Sequence, residues 1–182
     1  MVNIPYWRTT KNWWTHRKIL SELKNAKWQF SEMRLGLLLE EDWCRYYLPI
    51  DVNGLTVLDI GAGEGETAKF FLDHGAAKII CVEPEPAAIK VLEVNALNHP
   101  GKIEVHPKFF ELSDLSTKHD FMKMDIEGYE ESLLNVAELP APAVIEVHGL
   151  QLRDKFRKKG YRVDDTPTVN GMGCASFAYW KC

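Results

Sequence analysis

Three glycines fall within five residues in Val57-Leu58-Asp59-Ile60-Gly61-Ala62-Gly63-Glu64-Gly65-Glu66-Thr67, directly after an apolar run. Glycines so spaced let a backbone turn tightly and approach a ligand closely. The acids decide which ligand. A dinucleotide-binding turn sets a pyrophosphate on a helix N-terminus, where Asp59, Glu64 and Glu66 would repel it. Glu66 also occupies the third glycine position of a GxGxxG pattern. Carboxylates suit a cation instead, and S-adenosylmethionine carries an ammonium and a sulfonium but no phosphate. Asp59, Gly61, Ala62, Gly63 and Glu64 are therefore the expected cofactor loop. Glu83, backed by Pro84, stands 24 residues after Asp59 at the end of a second apolar run. An acid there can accept both ribose hydroxyls. The adenine contact is expected within Pro107–Asp114.

A second group of candidates is acidic too. Phe121-Met122-Lys123-Met124-Asp125-Ile126-Glu127-Gly128-Tyr129-Glu130 runs off a strand into carboxylates, and Glu146-Val147-His148 closes the next strand with two polar groups on one face. Ligands of open α/β sheets bind outside the carboxyl ends of the strands, so Asp125, Glu127, Glu146 and His148 are the expected reaction centre. Methyl transfer from sulfur to oxygen is an in-line displacement that needs alignment and a base. His148 titrates nearest neutrality and is the expected base, with Glu127 second. The same four residues can alternatively hold Mg²⁺ through oxygen ligands. No coordination geometry follows from their spacing, and no metal is assigned.

These residues must be positioned by a regular frame. Strand patterns cover Thr56–Ile60, Lys78–Val82, Ile103–His106, Phe121–Asp125, Ala143–Val147, Tyr161–Val163 and Ala175–Trp180. Helical patterns cover Glu66–Asp73, Pro84–Leu97, Tyr129–Val136 and Leu150–Lys159, with Gly75 closing the first and Pro84 opening the second. Strict alternation implies a parallel sheet covered on both faces. With no helix between them, the last two strands should pair antiparallel at the sheet edge.

Before Gly54 the periodicity differs. Ile19, Leu23, Ala26, Phe30, Met33, Leu37 and Cys44 recur at helical spacing, predicting one long or two short helices with a break at Gly36. We therefore divide the chain into a helical extension, 1–50, and an α/β domain, 51–182. The extension is basic: Arg8, Lys11, Arg17, Lys18, Lys24 and Lys27 oppose Glu22 alone, so residues 1–30 sum to +5 and the remainder to −9. With Trp7, Trp13, Trp14 and Trp28 it could meet a polyanion such as RNA, or simply be a solvated face anchored by tryptophans. Cys44, Cys81, Cys174 and Cys182 are scattered, which argues against a disulfide framework or a zinc site and for a reducing cytoplasm. No apolar run reaches the roughly 18 residues of a membrane span.

The chain resembles the FkbM family of methyltransferases in Asp59-Ile-Gly-Ala-Gly-Glu-Gly65, in Lys123-x-Asp125-Ile-Glu127-Gly128-x-Glu130, in Ile145-Glu-Val-His148 and in the late Lys159-Gly-Tyr-Arg-Val163. The likeness covers about residues 55–165. It implies an α/β, Rossmann-like class I methyltransferase fold: a mostly parallel seven-stranded sheet with a C-terminal antiparallel pair. It also implies S-adenosylmethionine as cofactor and O-methylation of a small-molecule or glycan hydroxyl. Gly63 departs from that family's Gly-Ala-Asn loop, which points to an outlying branch with another acceptor. The alternative is an RNA or protein methyltransferase using the basic N-terminal helices as its platform. Against a base-nitrogen acceptor, no Asn-Pro-Pro-Tyr motif follows the fourth strand. A third possibility is a non-catalytic S-adenosylmethionine-binding scaffold.

Overall fold

The computed structural model describes residues 21–32, 34, 35, 43–170 and 173–182. Gly36, Trp7, Trp13, Trp14 and the basic residues before Ser21 lie outside them. Five strands form a parallel array: β1 (Thr56–Ile60), β2 (Lys78–Val82), β3 (Ile103–His106), β4 (Phe121–Met124) and β5 (Ala143–His148). β6 (Arg162–Asn170) and β7 (Gly173–Trp180) follow as an antiparallel pair, and β7 inserts beside β5, giving the order β3-β2-β1-β4-β5-β7-β6. The seven-stranded sheet with its antiparallel end is thus as the sequence implied. β6 is longer than the Tyr161–Val163 pattern. Its register shifts between Asp164 and Thr168, where Pro167 sits on the outermost strand and removes a ladder donor.

Helices α1 (Trp43–Tyr47), α2 (Glu66–Asp73), α3 (Pro86–Asn98) and α4 (Leu150–Lys159) cover the faces. α3 opens two residues later than its pattern predicts. Glu85 is the N-cap, accepting from the Ala87 amide at 3.3 Å, and Pro86 rather than Pro84 takes the first turn. Pro84 instead holds the strand-end residue Glu83 in the connection. The helix expected at Tyr129–Val136 is a six-residue 3-10 turn, η2 (Glu130–Asn135), following an earlier one, η1 (Leu112–Ser116). Pro140 and Pro142 follow in the connection to β5.

Alternation along each strand splits the core in two. Val57, Ile79, Cys81, Phe121 and Val144 face one layer with Phe71, Leu92, Trp43 and Tyr47. Leu58, Ile60, Ile80, Met122 and Ile145 face the other with Leu133 and Phe156. Leu23, Trp28 and Leu35 join the first layer, so the described part of the extension shares the core of the α/β body. Trp28 is buried, stacked on Phe30 and on His99, and offers no free platform for a base. Among the described residues no helix is long and apolar enough to cross a membrane.

One pair breaks the apolar pattern of the sheet. Asp59 and Lys123 are register partners on β1 and β4, both essentially without solvent, with Lys123 Nζ 3.1 Å from Asp59 Oδ1. Burial disfavours the lysine's charge, but the carboxylates of Asp59 and Asp125 outweigh it and hold the ammonium above its ordinary pKa. Removing one partner of a buried pair strands the other charge. Lys123→Met should therefore cost about 3–5 kcal/mol in urea unfolding. The double variant with Asp59→Leu should recover most of that loss; no loss in the single variant would refute the pair as a structural element.

Candidate active site

The strand order reverses between β1 and β4, and ligands of open α/β sheets bind at such a reversal, outside the carboxyl ends of the strands. The glycine loop crosses it first. Gly61 has φ +76°, and a Cβ on it would lie 1.8 Å from the carbonyl oxygen of Asp125. Only a glycine lets the β1 and β4 loops touch. Gly63 has φ +56° and lies beneath the carboxylate of Glu66.

Of the expected cofactor residues, Glu83 sits at the loop: its Oε2 accepts from the Gly63 amide at 2.8 Å and its Oε1 from the Glu85 amide at 2.8 Å. Ala62 and Gly63 are buried beside it. Glu64 turns the other way, accepting from the Ser31 amide at 2.6 Å, and so fastens the N-terminal segment to the loop. Asp59, expected in the cofactor loop, has no exposed surface, and its oxygens face Lys123 and the Thr67 hydroxyl at 2.5 Å. It stands under the loop, because its place in β1 directs it into the α2 layer. Pro84 orients Glu83 and supplies no donor.

The second cluster converges as expected. His148 lies on β5 with Nε2 at 3.9 Å from Asp125, 3.8 Å from Glu127 and 3.8 Å from Glu146. Its Nδ1 is bonded to the buried Glu130 at 2.5 Å. The Glu130 hydrogen bond, with the charges of Asp125 and Glu146, pushes the imidazole up to about 9, although burial opposes this. His148 is therefore a cation at neutral pH and a poor base there. Burial and the Asp125 charge push Glu146 up to about 7, against the Tyr47 hydroxyl that donates to it at 2.9 Å. Glu146 is the group that titrates near neutrality. Glu127, at φ +50°, extends into solvent with 86% of its side chain exposed.

Asp125, Glu127 and His148 offer ligand atoms within 4.8 Å of one another, a spacing that a divalent cation can bridge. Glu130 fixes the histidine tautomer in the manner of an outer-shell carboxylate. Protonated His148 neutralises part of the same acids without a metal.

Sequence reasoning missed the supporting partners. Lys123 was visible as a lysine inside an apolar strand, which is where a buried partner for Asp59 should be sought. Glu130 stood in the K-x-D-x-E-G-x-E run, but its contact with His148 depends on η2 folding under β5. Tyr47, Arg34 and Thr67 gave no signal. Within the expected adenine segment, Glu111 and Asp114 are committed to a capping box and Lys108 to Asp114 at 2.8 Å, leaving Phe109 exposed and Phe110 buried against Tyr129.

The acids and glycines fit S-adenosylmethionine in charge, since a buried Glu66 oxygen without a hydrogen-bond partner among the described residues overhangs Gly63. Comparison with known proteins decides the fold. The chain has the fold of S-adenosylmethionine-dependent methyltransferases. Fibrillarin of Aeropyrum pernix, solved with bound S-adenosylmethionine, superposes with TM-score 0.54 at 14% identity, covering 72% of this chain and 69% of that one. Ribosomal RNA small subunit methyltransferase A of Methylobacterium radiotolerans is 36% identical over 52 residues, covering 29% of this chain and 18% of the relative. Protein arginine N-methyltransferase 6 of Danio rerio is 34% identical over 88 residues, covering 46% and 25%. The chain thus spans a quarter or less of these curated relatives' lengths. No family model matches it, the FkbM resemblance included.

The histidine's charge is testable in isolation. Glu130→Gln removes the largest influence on His148, so its imidazole midpoint followed by NMR should move down from about 9. An unchanged midpoint would show that the other acids alone set it.

Proposed function

We propose that this chain is an S-adenosylmethionine-dependent methyltransferase. The observation that carries the reading is the acidic, glycine-lined switch-point loop with Glu83 bonded to the Gly63 amide. Bound S-adenosylmethionine supplies an electrophilic methyl on sulfur and leaves as a neutral thioether. In this reading Glu83 takes the ribose hydroxyls with its remaining lone pairs. Ala62 and Gly63 line the cofactor, and Asp125 and Glu127 border the sulfonium. The acceptor's lone pair forms the new bond to carbon as the sulfur–carbon bond breaks, and its proton passes to Glu146. The imidazolium of His148 holds Glu146 as a carboxylate until it takes that proton.

The acceptor we infer is a group carried by a macromolecule. Glu127 stands exposed beside His148, and the similar proteins named above act on ribosomal RNA and protein arginine. Between these, four carboxylates against one histidine favour a protein side chain over a phosphate-bearing strand. A hydroxyl on a small molecule or glycan is the second reading, favoured by the presence of a base, Glu146, poised near neutrality. Transfer of radiolabelled methyl to a cell extract separates the three: label lost to protease supports protein, label lost to ribonuclease supports RNA, and label in the low-mass fraction supports a metabolite.

Two measurements test the chemistry. Glu83→Ala should weaken S-adenosylhomocysteine binding in calorimetry about tenfold or more, about 1.4 kcal/mol. An unaltered affinity would remove Glu83 from the site. The rate should rise with pH through about 7 as Glu146 loses its proton and fall above about 9 as His148 loses its own. Glu146→Gln should abolish the acid limb and lower turnover about 10²-fold or more.

A further inference from the structure

The segment before the sheet reaches the glycine loop through specific contacts. The Asn95 side chain binds Gln29 through both its amide and its carbonyl, and donates to the Glu64 carbonyl at 2.9 Å. The Ser31 amide bonds Glu64, and Trp28 packs on His99. This docking brings Arg34 over the loop, with its Nε 3.0 Å from Glu66 Oε1.

That ion pair differs from the exposed pairs elsewhere. Glu66 is 4% exposed, and its Oε2 has no hydrogen-bond partner among the described residues. The same oxygen lies 2.8 Å from where a Cβ on Gly63 would stand, and Arg34 Cζ lies 3.4 Å from that point. A carboxylate and a guanidinium therefore stand side by side over a bare stretch of backbone. That contact is made through Nε, and the planar fork of a guanidinium has further donors suited to a second carboxylate.

We propose that Arg34 and Glu66 recognise the amino-acid end of the cofactor, Arg34 taking its α-carboxylate and Glu66 Oε2 its α-ammonium. The inference rests on the methyltransferase reading and adds the residues that select a zwitterionic tail. Each charge of the ligand meets its opposite, and glycine at 63 keeps the space between them clear. Arg34 lies outside the glycine segment, and Glu66 follows its last glycine. Arg34 comes from the N-terminal segment, so ligand binding and docking of Trp28, Ser31 and Arg34 strengthen one another by the same factor.

Calorimetry with two probes tests this: S-adenosylhomocysteine, and 5′-methylthioadenosine, which shares the adenosine and thioether but lacks the amino-acid end. Wild type should bind the first about tenfold or more tightly than the second. Arg34→Gln and Glu66→Gln should each weaken S-adenosylhomocysteine about tenfold while changing 5′-methylthioadenosine less than about twofold. Arg34→Lys, which keeps the charge without the fork, should fall between, and it serves if a glutamine variant does not fold by circular dichroism. Equal weakening of both probes would overturn the proposal in favour of loop support, and no weakening of either would place the tail elsewhere. Wild type that folds but binds neither probe would overturn the methyltransferase reading itself.

Discussion

The buried contact between Asp59 and Lys123 is the constraint on which the site is built. It lies at the strand-order reversal, where β1 and β4 are neighbours. Lys123 also donates to the Gly61 carbonyl at 2.8 Å, and Asp59 accepts from Thr67 in α2. One ion pair thus joins the β1 loop, the first turn of α2 and the end of β4. Buried pairs contribute little net stability compared with apolar packing, because both charges are desolvated. What this one contributes is register: only with Asp59 beside Lys123 are both charges satisfied, and that alignment sets Gly61 against Asp125.

Above this pair the charges are arranged asymmetrically. On the β4 and β5 side, Asp125, Glu127, Glu130 and Glu146 surround one imidazole. The Glu130 hydrogen bond and the neighbouring acids hold the histidine as a cation, while burial and the Asp125 charge raise Glu146, which reverses the roles that free amino acids would assign them. On the β1 side, Glu66 and Arg34 form a separate pair over the loop. Acids thus flank the glycine loop, with one guanidinium beside Glu66 over Gly63. That distribution is what distinguishes this site from a phosphate-binding loop of similar glycine spacing.

The N-terminal segment links these features to the core. Leu23, Trp28, Trp43 and Tyr47 are buried in the layer that covers one face of the sheet, while Ser31, Arg34 and Tyr47 carry polar groups to Glu64, Glu66 and Glu146. The same stretch therefore packs against the sheet and touches both halves of the crevice. An amphipathic pattern in the sequence could announce the apolar half of this arrangement only, since polar contacts depend on what the buried face docks against.

The sequence by itself determined the local elements and the kind of ligand. Parallel strands buried on both faces must be short apolar runs, so β1 to β5 were legible nearly to the residue. Three glycines among acids excluded a pyrophosphate by charge alone. What only the tertiary structure decided were the pairings between distant residues. Asp59 reads as a ligand-facing acid until Lys123 is seen beside it, and His148 reads as a neutral base until Glu130 is seen beneath it. Pro84 and Pro86 both permit a helix start, and the bond from Ala87 to Glu85 selects the second. Arg34, 32 residues before Glu66, has no pattern to mark it. A side chain's protonation and partners depend on the field and solvent exclusion around it, and those exist only once the sheet has brought its strands together.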